Sequence, residues 1–150
     1  MLRVFITAIL YLISFFTQGQ ENIHSEQAEG DIQKFSIEAK VKHISGDQGR
    51  VYFALYSSSE NFTNRISFET KEVKAKENGV SVIFGAVPKG VYAITCFYDQ
   101  NDNGKMDFSL NGMPQEDYGS SNNVMTFGPP SFEDSKFEVI DKDLTFEIKL

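Results

Sequence analysis

The chain has 150 residues, a formal net charge of −7 and one cysteine. That length suits one domain with a short leader, the acidity leaves no electrostatic footprint for nucleic acid, and a lone thiol rules out an internal disulfide. Fourteen Phe and six Tyr, with no Trp, supply the apolar area from which a core must be built instead.

Residues 1–19 read as a secretory signal peptide. Arg3 is a short basic n-region, the run over 4–16 is almost unbroken apolar, and Thr17, Gln18 and Gly19 offer the small or polar residues of a cleavage site. The competing reading is a membrane anchor, which needs about 20 apolar residues, more than this run has. No cysteine stands near Gly19, which excludes a lipobox-type lipoprotein anchor. The expectation is an exported protein, periplasmic or at the cell surface, with no integral membrane segment after cleavage. Arg3 is the only charge in 1–19, so the mature chain is more acidic still. Residues 20–34 are polar and rich in Glu and Gln, a flexible leader. Residues 35–150 make the domain.

Within it the apolar period is two. Phe35, Ile37, Ala39 and Val41 face one way, and Ser36, Glu38, Lys40 and Lys42 the other. A Gly-rich turn over 45–49 precedes a strand over 50–56, where Val51, Phe53 and Leu55 alternate with Tyr52, Ala54 and Tyr56. Both faces of this strand are apolar, so it is expected to be central and covered on both sides. A polar loop over 57–64 leads to a more exposed strand over 66–76, and Asn78-Gly79 has hairpin-turn chemistry. Strands over 80–86 and 91–98 follow, separated by Pro88-Lys89-Gly90. Tyr92 then stands where a Greek-key sandwich places a tyrosine that ties down a corner; a buried aromatic with no special role is the equal alternative. A long irregular segment over 108–130 contains a short strand at 124–127, and strands over 137–140 and 144–150 complete the set. Seven or eight short strands with no 3.6-residue period predict an all-β fold, a single Greek-key β-sandwich of the immunoglobulin or transthyretin-like kind.

The densest chemistry lies over 99–107. Asp99, Asn101, Asn103 and Asp107 place oxygen-bearing side chains at alternate positions, Lys105 offers its carbonyl, and Gly104 supplies a bend. This is the spacing with which a short loop wraps Ca²⁺. Leu110 occupies the place of the bidentate Glu, and the flanks are not helical, so the loop is not an EF-hand. Glu116 or Asp117, folding back, would supply the missing carboxylate, and Asp102 is a spare. With two neutral Asn ligands the affinity belongs near 10⁻⁴–10⁻³ M, roughly that of extracellular modules. The rival cause of the same composition is turn chemistry, since Asp, Asn and Gly also form Asx-turns without any metal.

Other constellations are weaker. Adjacent Glu116 and Asp117 do not define the separation that glycoside hydrolysis needs. His43 sits at a strand end, and no Ser-His-Asp set or Gly-rich phosphate cradle is present. Cys96 lies in an apolar strand and reads as a buried, inert thiol. The segment 112–123 is a long surface loop, either a cap pinned to the core by Met113 and Tyr118 or a functional loop.

Three stretches taken in order carry a family resemblance: Pro88-Lys89-Gly90-Val91-Tyr92-Ala93-Ile94, the 99–107 loop, and Gly112-Met113-Pro114-Gln115-Glu116-Asp117-Tyr118-Gly119-Ser120-Ser121-Asn122, followed by Pro130-Ser131-Phe132. Over about 35–150 the chain resembles the bacterial domain of unknown function 2141 family. The resemblance implies a small exported bacterial protein of no established activity. The pattern is also similar to the B-type repeats of surface adhesins and to transthyretin-like sandwiches. In the adhesin repeats the equivalent loop binds calcium, which would implicate Asp99, Asn101, Asn103, Lys105 and Asp107 here. Two functional readings stand. One is a non-enzymatic exported module braced by Ca²⁺, with a surface protein or polysaccharide as partner. The other is a carbohydrate-acting enzyme or accessory domain using 112–123.

Overall fold

The computed structural model describes residues 33–124 and 128–150. The signal peptide, almost all of the leader and the strand expected at 124–127, beyond Val124, lie outside them. Among the described residues eight strands form two sheets. β1 (Lys34–Val41), β4 (Val80–Pro88) and β8 (Leu144–Ile148) form a three-stranded sheet in the order β4-β1-β8. β2 (Arg50–Tyr56), β3 (Glu69–Lys74), β5 (Gly90–Asp99) and β6 (Tyr118–Ser120) run in the order β3-β2-β5-β6, with β7 (Lys136–Val139) also paired to β5. β8 lies parallel to β1, and the other pairs are antiparallel. The molecule is an all-β sandwich.

Alternation decides which side chains enter the core. β1 buries Phe35, Ile37, Ala39 and Val41; β2 buries Val51, Phe53 and Leu55; β5 buries Tyr92, Ile94, Cys96 and Tyr98. β4 contributes Val82 and Phe84, then changes parity to present Val87. The change comes from a bulge opposite Ser36, where the register skips between Phe35 and Ile37 and Ala86 has φ of 57°. An extra residue in one strand bends it and re-aims the side chains beyond the bulge.

The Gly-x-Tyr corner is tied. The Tyr92 hydroxyl donates to the Pro88 carbonyl at 3.1 Å, and a Cβ on Gly90 would lie 3.1 Å from the Tyr92 ring. The Asn78-Gly79 turn forms but joins no hairpin. β3 pairs with β2 and β4 with β1, so the turn carries the chain from one sheet to the other. Its place is fixed by contact with β1, since a Cβ on Gly79 (φ 95°) would meet the Val41 carbonyl oxygen at 2.3 Å.

The polar loop over 57–64 contains a single helical turn, α1 (Ser59–Thr63), and a second, α2 (Phe132–Ser135), precedes β7. Each starts at a serine whose hydroxyl accepts a backbone N–H: Ser58 from Asn61 and Ser131 from Asp134. Four or five residues are too few to show a helical period. β6 arises within the segment expected to be irregular and shares one edge of β5 with β7. Ser121 joins the two, its N–H donating to the Ile94 carbonyl at 3.0 Å and its Oγ accepting the Ile94 N–H at 3.2 Å. Of the two anchors expected in 112–123, Met113 is exposed and Tyr118 half-buried on the outer face of the sheet. That segment is tied down by β pairing and Ser121, not by Met113.

Candidate functional site

β5 delivers the chain into the 99–107 loop with Asp99 wholly buried. Gly49 (φ 73°) is pressed against this point, for a Cβ there would stand 2.0 Å from the Asp99 carbonyl oxygen. The Asp99 carboxylate accepts two backbone bonds from its own loop, Oδ1 from the Asn103 N–H at 3.1 Å and Oδ2 from the Gly104 N–H at 2.7 Å. Asn101 Oδ1 also accepts the Asn103 N–H at 3.1 Å, and Asn103 Oδ1 accepts the Lys105 N–H at 3.0 Å. These are side chain–backbone turns of the Asx kind, and positive φ at Asp102 and Gly104 bends the chain between them.

Asp107 closes the loop. Its Oδ2 receives Asn101 Nδ2 at 2.7 Å and Asn103 Nδ2 at 2.8 Å. Its N–H donates to Glu116 Oε2 at 3.2 Å, and its carbonyl accepts the Gln115 N–H at 2.9 Å. Of the two carboxylates that the sequence offers for folding back, Glu116 and Asp117, Glu116 reaches the loop. Asp99, Asn101, Asn103, Asp107 and Glu116 are brought together, and Lys105 joins through its N–H. Asp102 turns outward to Arg50 Nε at 3.1 Å, and the same guanidinium holds Glu72 at 2.9 Å. Asp117 lies apart, accepting the Ser45 hydroxyl at 3.4 Å. Leu110 is fully exposed.

Burial pushes the Glu116 carboxyl above its ordinary range; the Asp107 and Gln100 N–H groups oppose the shift, and the negative charges of Asp99 and Asp107 add to it. Glu116 Oε1 is buried with no hydrogen-bond partner. Among the described residues no group of three or more His, Cys, Asp or Glu is placed to hold a metal. A cation here would therefore draw on amide oxygens as well as carboxylates. The donor chemistry fits a hard cation, because every side-chain donor of the set carries oxygen and one buried carboxylate oxygen is orphaned. Seating an ion means turning the Asn101 and Asn103 amides, whose nitrogens now donate to Asp107 Oδ2.

The loop also forms one wall of a groove on the outer face of the five-stranded sheet. Tyr52 and Phe97, opposite each other in β2 and β5, stack with centroids 5.2 Å apart and planes within 13°. Tyr56 packs on Phe62 of α1 at 4.9 Å. With Phe108 beyond the loop, these rings border a volume of about 420 Å³. The apolar outer face of β2 was legible in Tyr52, Ala54 and Tyr56, but its cover is partial, leaving these residues half-buried.

A family model described as "Uncharacterized protein conserved in bacteria (DUF2141)" matches residues 39–147. The chain belongs to this family. Neither a curated protein nor a solved structure gives a significant match. The matched span of this DUF2141 chain contains the loop, Glu116 and the groove. Arg65, which borders the groove, is not legible in the sequence, since a lone Arg after a polar loop carries no pattern.

Proposed function

We propose that this DUF2141 domain is an exported, non-enzymatic module, periplasmic or at the cell surface, whose 99–107 loop is braced by Ca²⁺. The buried, unpartnered Glu116 Oε1 beside Asp99 and Asp107 carries the reading. An orphaned carboxylate oxygen among like charges is costly, and a divalent cation relieves both terms. Asp99, Asn101, Asn103, Asp107 and Glu116 would hold the ion through side chains and Lys105 through its carbonyl. The apolar run and cleavage pattern over 1–19 support export.

The non-enzymatic part is supported by the divergence of the carboxylates in 112–123. Glu116 is turned to the Asp107 N–H and Asp117 to Ser45, and neither borders the groove. Paired carboxylates facing across a sugar-binding cleft are what the carbohydrate-acting alternative requires.

The test is calcium titration by calorimetry and thermal melting, with chelator and Mg²⁺ as references. For a dissociation constant near 10⁻⁴–10⁻³ M, 10 mM Ca²⁺ stabilises the fold by roughly 1.4–2.7 kcal/mol. Absence of both binding heat and a melting shift overturns the proposal. The calcium-dependent shift should also vanish in Asp99→Ala; a shift that persists would place the ion elsewhere.

A further inference from the structure

We propose that the groove on the outer face of the five-stranded sheet binds a small amphipathic carboxylate, its hydrocarbon body lying among Tyr52, Tyr56, Phe62, Phe97 and Phe108 and its anionic head on Arg65. This goes beyond the cation reading and does not depend on it. A concavity of about 420 Å³ falls within the range of small-molecule sites, roughly 300–1,000 Å³, which are lined chiefly by apolar and aromatic side chains with few polar groups.

The lining is selective in what it lacks. Among the described residues it contains no Asp, Glu, Asn, Gln, His or Lys, and Arg65 is the only charged side chain there. A sugar needs a fringe of amides and carboxylates to replace its lost water contacts, because unpaired polar groups are penalised on burial; the lining's few Tyr and Thr hydroxyls do not make one. A wholly apolar ligand would leave a guanidinium at the rim unused. An apolar body with one carboxylate matches both features, the anion being a natural partner for the planar guanidinium fork.

Arg65 is free to serve. Arg50 is held by Asp102 and Glu72, whereas Arg65 is exposed and makes no ion pair among the described residues, in a chain whose formal charge is −7. Its backbone is held as well. The Arg65 N–H donates to Phe62 O at 3.2 Å and the Ile66 N–H to Asn61 O at 2.8 Å, closing the end of α1. That closure puts Arg65 at φ 57°, the left-handed position that helix ends usually give to glycine. Strain of this kind collects where a side chain is needed for function.

The experiment is calorimetric titration with decanoate and with decanol, a neutral molecule of the same chain length, each below its aggregation limit and in chelator so that no cation takes part. Decanoate is expected to bind about tenfold or more tightly than decanol, the range for a charge-assisted contact. Arg65→Gln should reduce that preference to about threefold or less while leaving decanol affinity unchanged. Arg65→Gly should do the same in a protein that melts no lower than the parent, because glycine suits φ 57°, so lost binding cannot be put down to unfolding. Equal affinities for the two ligands, a decanoate preference that survives both substitutions, or no binding of either overturns the proposal. Each result stands whether or not calcium binds the loop.

Discussion

Asp99 Oδ2 accepts the Gly104 N–H at 2.7 Å while Asp99 Oδ1 accepts the Asn103 N–H at 3.1 Å. One buried carboxylate therefore shapes the loop from its first position. Asp99→Ala strands the Gly104 N–H, leaves the Asn103 N–H only its bond to Asn101 Oδ1, and opens a void at the end of β5. Bonds to a charged acceptor contribute about 1.5–3 kcal/mol, so a stability loss of roughly that size is expected in denaturant unfolding with chelator present. A loss below about 0.5 kcal/mol, the scatter of surface substitutions, would mean that the loop is shaped elsewhere.

Tyr92→Phe tests the tied corner. The substitution keeps the ring, with its packing on Phe68 and Phe137, and deletes only the hydroxyl bond to Pro88 O. Loss of about 1 kcal/mol is expected, measured as a drop in denaturation midpoint at unchanged slope. No change would return Tyr92 to the role of an ordinary core aromatic.

Much of the sandwich was legible because burial enforces a period of two. The inward sets of β1 and β2 follow directly from alternation, and Tyr92 from its place after Pro88-Lys89-Gly90. Sheet membership was less so. Asn78-Gly79 satisfies the local chemistry of a hairpin, but that chemistry fixes a bend and not a strand partner; β3 and β4 are separated by their contacts with β2 and β1. α1 and α2 escaped because a single capped turn has no period to detect. In the loop the residue spacing was readable, and so was the return of a carboxylate from 116–117, but the choice of Glu116 over Asp117 was not. The outward turn of Asp102 was not, since it depends on Arg50, far away in sequence and at the start of β2. The groove needed the two apolar outer faces of β2 and β5 to be placed side by side, which only the pairing of Tyr52 with Phe97 supplies.

Cys96 should be silent to thiol reagents in the folded protein. It is buried on the core side of β5, and burial pushes its thiol up to about 12, with a Gly119 backbone contact opposing the shift. The thiolate is the reactive form. Titration with an aromatic disulfide reagent at pH 8 should give no reaction in buffer and one equivalent in denaturant. Rapid labelling of the native protein would mean that the β5–β6 edge opens readily.

Two glycines in strands make opposite predictions. A Cβ on Gly119 in β6 would stand 2.1 Å from the Lys149 carbonyl oxygen and 2.8 Å from Ile148 Cγ2, whereas one on Gly85 in β4 would meet nothing within 4 Å. Gly119→Ala must therefore push the chain end after β8 away from β6, and with it Ile148, which is buried in the core. Overpacking of this kind costs about 1–3 kcal/mol. Gly85→Ala meets no such obstacle, and reducing the freedom of the unfolded chain stabilises by about 0.4–1 kcal/mol. Thermal melting of the two variants side by side should thus move in opposite directions. If Gly119→Ala melts with the parent, β6 does not sit against the C-terminal segment in solution, and the edge of β5 is covered in some other way.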